Sequence, residues 1–234
     1  MNVRVLLIFS TLSLPLGAVS PVPATDSVVE KYCVATLGQG QSMNGSSMDV
    51  EITAALPKLN KQGKLHALRH VSATGLVNYE VLGFEGDGTV KSQIINRYLS
   101  AEAEAQQEPS HALDITPANY KFKPKGRVQL DGRDTFLYEV SPKHKRQGLF
   151  QGQLWIDAAT FLRVQESGRL VKNPSILLKR VEFVRKYQIR EGISVPQQEQ
   201  SIVDTRLGVG QAKMIINFSN FAMDSAVGAG PDIQ

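Results

Sequence analysis

Between Tyr120 and Asn220 short stretches of alternating apolar and polar residues are separated by tight turns, and this rhythm constrains the fold more than any other feature. Val128 and Leu130 lead into Asp131-Gly132, a pair that tolerates the positive φ of a two-residue hairpin. Thr135 to Val140 follow, with Phe136, Tyr138 and Val140 on one face. Ser141 to Gly148 turn the chain, and Leu149 to Ile156 run back. Asp157-Ala158-Ala159-Thr160 then turn it into Phe161 to Val171. A strand opened by Pro174 runs to Ile189, and Glu191-Gly192 turns it into Ile193 to Arg206. The last strand, Gln211 to Asn220, carries Ala212, Met214, Ile216 and Phe218 on one side. Strands joined this closely pair with their sequence neighbours, antiparallel.

The first half adds strands and two helices. Thr25 or Asp26 can cap a helix that Gly38 ends in the left-handed conformation, with Val28, Val29, Tyr32, Cys33, Ala35 and Leu37 as its apolar stripe. Residues 38 to 47 read as a mobile loop. Met48, Val50, Ile52 and Ala54 alternate with Asp49, Glu51 and Thr53 in a half-buried strand. Leu65 to Ser72 and Leu76 to Phe84 are two more. After Glu85-Gly86-Asp87-Gly88, residues Val90, Ile94, Tyr98, Ala101 and Ala105 recur at helical spacing from Thr89 to Gln107, and Pro109 stops the helix. The expected fold is mainly β: an incomplete antiparallel β-barrel of about ten meandering strands, with two helices covering its concave apolar face.

Met1 to Arg4 and the apolar stretch Val5 to Leu16 read as an export signal, cut after Ala18 or, preferably, Ala24. About 12 apolar residues are too few to span a bilayer comfortably. The chain therefore divides into a signal at 1–24, one domain at 25–221 and a small, Gly-rich flexible tail at 222–234. Twenty-six basic against 22 acidic residues give +4, and removing Arg4 leaves +3, too mild a field for nucleic acid. With Cys33 as the single cysteine, the core alone holds the fold; its thiol reads as a small buried hydrophobe. A monomer is expected.

No Gly-x-Ser-x-Gly elbow, phosphate loop, dinucleotide fingerprint or His-Glu-x-x-His motif occurs, so the chain reads as non-catalytic and without a cofactor. His66 and His70 would stand about 13 Å apart on a strand, too far to share a metal. His111 and His144 lie in loops without ligand partners. Two basic clusters, Lys121-Lys123-Lys125-Arg127 and Lys143-His144-Lys145-Arg146, read as a solvated rim or as a contact for an anionic membrane surface or acidic partner.

Gly126 to Phe136, Gly152-Gln153-Leu154-Trp155-Ile156-Asp157 with Thr160, Leu162 and Arg163, and Val195-Pro196 after a long strand resemble the outer-membrane lipoprotein-sorting superfamily, whose members include LolA, LolB and the sensor RseB. The helix ending at Leu37-Gly38 resembles the start of many members. The resemblance implies a half-open barrel with helices as a lid, an apolar cavity between them that takes acyl chains, and a periplasmic location. The expected function is a periplasmic carrier of a lipid or of lipoprotein acyl chains, served by membrane-bound donor or acceptor proteins. The alternative is a protein-interaction or envelope-stress sensor domain whose helices fill the cavity. The candidate cavity residues are those on the dry faces: Val50, Ile52, Phe136, Tyr138, Leu154, Ile156, Val181, Phe183, Met214, Ile216 and Phe218, with Ile94 and Tyr98 from the second helix. Each of them also suits plain core packing. Converging ionisable groups in that space would point elsewhere, to an adaptor or a catalyst.

Overall fold

The computed structural model describes residues 25–105, 112–173, 178–205 and 210–224. The signal at 1–24, Pro109, His111, Pro174 and residues 225–234 lie outside them. Helix α1 is Thr25–Thr36, and Gly38 follows at φ 79. A single turn, α2, Gln39–Ser42, comes next. Strands β1 (Ser46–Leu56), β2 (Lys61–Val71) and β3 (Val77–Gly86) precede a helical run of Gly88–Val90, Lys91–Ile95 and Asn96–Ala105, together called α3, whose middle piece is a π-helical turn. Asp87 caps it, accepting from the backbone N–H of Thr89 at 2.7 Å. Then come β4 (Tyr120–Leu130), β5 (Arg133–Pro142), β6 (Phe150–Asp157), β7 (Arg163–Leu170), β8 (Leu178–Arg190), β9 (Ile193–Thr205) and β10 (Gln211–Met223).

These strands form a ten-stranded antiparallel sheet in the order β3-β2-β1-β10-β9-β8-β7-β6-β5-β4. Chain neighbours pair throughout except at two places. β1 pairs with β10, and α3 with the segment after it carries the chain from one edge strand, β3, to the other, β4. Among the described residues those edges do not pair, so the barrel is incomplete, as expected. The hairpin turns are those read from the sequence: Asp131 and Gly132 have φ 50 and 78, and Glu191 and Gly192 have 49 and 77.

Two expectations are corrected. Residues 38 to 47 are not a free loop: Gln39 Nε2 donates to the Gly192 carbonyl at 3.0 Å, and the Ser194 N–H donates to Gln39 Oε1 at 2.9 Å. One side chain thus ties the exit of α1 to the β8–β9 turn. Nor does the last strand stop before Ala222, because Ala222 and Met223 pair with Ser47 and Ser46 at the start of β1. An available partner strand outweighs the weak propensity of the sequence there.

Two local devices shape the sheet. Gly152 and Gly168 face each other across β6 and β7, and a Cβ on Gly152 would collide with the backbone of Ser167 and Gly168. The pair lets the sheet bend sharply, as a barrel corner needs. At the β6–β7 turn Asp157 Oδ1 accepts from the Thr160 N–H at 2.7 Å and the Thr160 hydroxyl at 2.7 Å, while Oδ2 takes the Arg133 guanidinium at 3.1 Å. Burial would raise the Asp157 pKa, but these hydrogen bonds from Thr160 and Arg133 hold its carboxyl below the usual range.

The two devices give measurable expectations. Gly152→Ala meets backbone, so it should cost several times the ~1 kcal/mol of Gly132→Ala, where only the positive φ is offended; urea midpoints decide this. Because the folded pKa of Asp157 lies below its unfolded value of about 3.9, its stabilisation is complete above that value and is lost as pH falls through the folded one. Asp157→Asn should therefore be less stable near neutrality and lose less on acidification than the parent, as followed by thermal unfolding from pH 7 to 2.

Candidate functional site

Antiparallel register places all eleven strand candidates on the concave face. The helices, however, divide that face in two. α1 lays Val28, Val29 and Tyr32 onto Phe136, Tyr138, Leu154, Ile156 and Phe183. α3 lays Val90, Ile95 and, half-buried, Ile94 and Tyr98 onto Val50, Ile52, Met214 and Ile216, with Phe218 partly covered. Val181 stands opposite Val203, half-buried and outside both clusters. The structure thus does not gather the candidates around one shared space. Ile52, Leu154, Ile156 and Ile216 have no exposed surface and act as core.

Between the two clusters runs a polar seam that sequence reading missed. One row of directly opposed residues crosses the sheet as Tyr138, Leu154, Glu166, Arg185, Glu199, Ile216, Ile52 and Leu65. Its middle three members are ionic, with apolar residues on either side. Glu166, with a side chain 2% exposed, accepts from Arg163 Nη1 at 2.9 Å and stands 3.9 Å from Arg185 Nη1. Arg185 Nε donates to Glu199 at 2.9 Å. Arg163 stacks on the Tyr187 ring at 4.5 Å, and Arg185 on Phe183 at 4.4 Å. Arg163 reaches this row because β7 is irregular opposite Trp155 and Ile156, which brings two residues three apart onto one face.

Each helix adds phenols to the seam. Tyr32 of α1 lies in the field of Arg163 and Glu166, and Tyr98 of α3 in that of Glu199, Glu102 and Arg185. Beyond Tyr98 a second polar group ties α3 to the sheet: Arg69 Nε and Nη2 donate to Glu102 at 3.2 and 3.0 Å, and the Tyr79 hydroxyl donates to its other oxygen. Burial pushes the phenols of Tyr32, Tyr98, Tyr187 and Tyr79 well up. It works against the charges of Arg163 and Arg185, but Tyr187, Glu166 and Glu199 around them hold both above their ordinary values. Near neutral pH the seam therefore carries charged guanidiniums and neutral phenol donors.

The seam also has spare capacity. Arg163 and Arg185 sit at the middle of the concave face, yet their side chains are 35% and 34% exposed, and each keeps N–H donors that no described residue takes up. Among the described residues two buried side-chain polar atoms lack any partner, Arg69 Nη1 and Ser201 Oγ. Both face this same concavity, Ser201 between Phe183 and Met214 in register. Buried polar atoms are almost always satisfied, so each of these two atoms has room for a partner beyond the described residues.

The remaining candidates fall elsewhere. His66 and His70 stand on the convex face near Glu51 and Glu80. No three His, Cys, Asp or Glu side chains among the described residues converge to hold a metal. Cys33 is half-buried against the α1 cluster, and burial raises its thiol pKa. Two surface hollows, of about 420 and 560 Å³, lie outside the seam and are lined mainly by polar side chains such as Lys186 and Gln198, or Glu139 and Arg169.

No protein-family model matches the sequence, and no curated protein does. Among solved structures the fold is similar to a DUF1329 family protein from Desulfovibrio piger, with 14% identity, TM-score 0.42, and 86% of this chain and 94% of that one covered. A putative outer membrane lipoprotein-sorting protein domain from Vibrio parahaemolyticus matches at 12% identity and TM-score 0.40, over 86% and 92% of the two chains. A LolA superfamily protein from Nitrosomonas europaea matches at 12% identity and TM-score 0.37, over 87% and 95%. These are likenesses of layout alone.

Glu166 is the counter-ion shared by two guanidiniums. Glu166→Leu should destabilise the protein by about 2–4 kcal/mol, below the figure for a fully buried pair because both arginines keep solvent contact. Part of that loss should return in high salt, which screens the unmasked repulsion. An unchanged urea midpoint would show that the seam is not held by this carboxylate.

Proposed function

We propose that this is a periplasmic, non-catalytic binding protein for an amphipathic ligand, a lipid or the acylated end of a lipoprotein, taken on the concave face. Its polar head meets Arg163 and Arg185, and its acyl chain lies between a helix and the sheet. The observation that carries this reading is the position of the seam: open guanidinium donors, with the orphaned Ser201 Oγ two residues along β9 from Glu199, stand between apolar surfaces on both sides. Each carboxylate of the seam is bound to a guanidinium, which suits recognition better than proton transfer. Each buried CH₂ is worth about 0.8 kcal/mol, so a chain of roughly 16 carbons supplies ample affinity even after ordering costs. Entry requires one helix to lift, and α3 is tied to the sheet by the Arg69–Glu102–Tyr79 group and by Lys61 on the Thr89 hydroxyl.

A second reading has its own support. The ionisable groups that converge in the seam point to an adaptor, and Ile52, Leu154, Ile156 and Ile216 are fully covered; together these favour a filled scaffold that binds a polypeptide partner along the seam.

Organic extraction of the purified mature protein, followed by mass spectrometry, separates the two. The expected result is a co-purifying acylated amphiphile, with a fluorescent fatty acid displaced by it and bound at least tenfold more weakly by Arg185→Ala. Absence of any lipid, together with no binding of the fluorescent fatty acid, removes the carrier and leaves the polypeptide reading.

A further inference from the structure

The two ends of the half-barrel differ in charge. At one end the described turns hold Lys58 between β1 and β2, Lys143, Lys145 and Arg146 between β5 and β6, and Lys172 after β7. All five are exposed, and Lys121, Lys179 and Arg180 stand beside them in the first residues of β4 and β8. The described acids in these turns are Asp87, bound to Lys61 at 3.3 Å, and Asp114. At the other end the turns, residues 37–45, 72–76, 131–132, 158–162 and 191–192, contain no lysine or arginine among the described residues; their charged members are Asp131 and Glu191. The cations of the described turns thus lie at one end, while at the other Arg133, Arg163 and Arg190 flank the turns from within the strands.

The cationic pole is broad. From the β1–β2 turn to the start of β4 the sheet order runs through eight strands, roughly 34 Å of arc at about 4.8 Å per step. At its tip Leu59 stands 42% exposed between Lys58 and Lys61. A wide cationic rim with an exposed leucine among its lysines fits an extended anionic surface with an apolar layer behind it, better than one compact acidic site.

We infer that this end of the barrel, carried by Lys143, Lys145 and Arg146 with Lys58, Lys172 and Leu59, docks on an anionic phospholipid bilayer. The docking goes beyond ligand binding on the concave face and does not depend on it.

The test is co-sedimentation of the mature protein with vesicles of phosphatidylcholine alone, or with phosphatidylglycerol at a third of the lipid. Binding is expected only to the anionic vesicles, weakening steeply between 50 and 300 mM salt, about as the Debye length shrinks. Reversing Lys143, Lys145 and Arg146 to Glu should weaken it at least tenfold. Reversing Lys31, which lies over Phe161 at the opposite end, with Lys186 and Arg190 changes net charge equally away from this pole and should leave it within about twofold. Leu59→Asp should weaken binding without altering its salt slope. All these side chains lie at the surface, and unchanged melting temperatures certify the variants. Equal binding to neutral vesicles, no binding to either, or equal weakening by the two triple reversals overturns the inference. So does binding of a soluble acidic protein that vesicles cannot displace. Loss of the fatty-acid site alone, as in Arg185→Ala, should leave vesicle binding intact, so the two proposals fail separately.

Discussion

A carboxylate shared by two guanidiniums, Glu166 between Arg163 and Arg185, sits where an all-β half-barrel would ordinarily place aliphatic packing. Removing these charges from water is costly, and the cost is recovered only because each ion faces an opposite one and the two guanidiniums keep part of their surface wet. That condition organises the interior. The helices cannot close over the seam without stranding its unused donors, so each covers one flank: α1 the half built on β4 to β8, α3 the half built on β1 to β3 with β9 and β10. The concave face thus becomes two dry halves and a polar divide, a geometry suited to ligands that are themselves part apolar and part charged.

The topology follows from a different constraint. A meander of ten strands has two edges, and exposed edges invite association. β4 carries Lys121, Lys123, Pro124 and Lys125, residues that discourage an added strand, whereas β3 has α3 against it and exposes Val81 and Leu82. The pairing of β1 with β10 closes the sheet in the middle of its order rather than at its ends, which puts both edges beside the helical crossing and leaves that crossing to span the gap.

Most strands were legible because their side chains alternate between water and core, and because the turns at Asp131-Gly132 and Glu191-Gly192 each carry a glycine that accepts the positive φ found there. The β1–β10 pairing was not, since nothing local links segments so distant in the chain. The seam had a signal that went unread. In β8, Val181, Phe183, Arg185 and Tyr187 share one phase, so Arg185 stands on a dry face as plainly as Phe183 does, and in β9 Glu199 precedes Ser201 in the same way. Counting apolar residues finds the dry face but passes over the charges that share it. Arg163 was beyond such counting, because only the irregularity in β7 turns it inward beside Glu166.

The split interior also bears on how ligand and motion are linked. Helix α3 contains a π-helical turn at Lys91–Ile95, where the regular hydrogen-bond ladder is broken, immediately before the stretch that carries Tyr98 and Glu102. Beyond apolar contact it is held at its start by Lys61 on the Thr89 hydroxyl at 3.1 Å and by Lys91 over the Phe84 ring at 5.0 Å, and further on by the Arg69–Glu102–Tyr79 group, in which Arg69 still has an unmet donor. α1, by contrast, is pinned at its exit through Gln39, and Lys31 rests over the Phe161 ring at 4.9 Å. Of the two covers, α3 has the weaker backbone ladder and the incompletely satisfied tie. A ligand that offers an acceptor to Arg69 while filling the space under α3 would replace what the helix gives up. On the proposed reading, the unmet donor of Arg69 thus favours entry under α3.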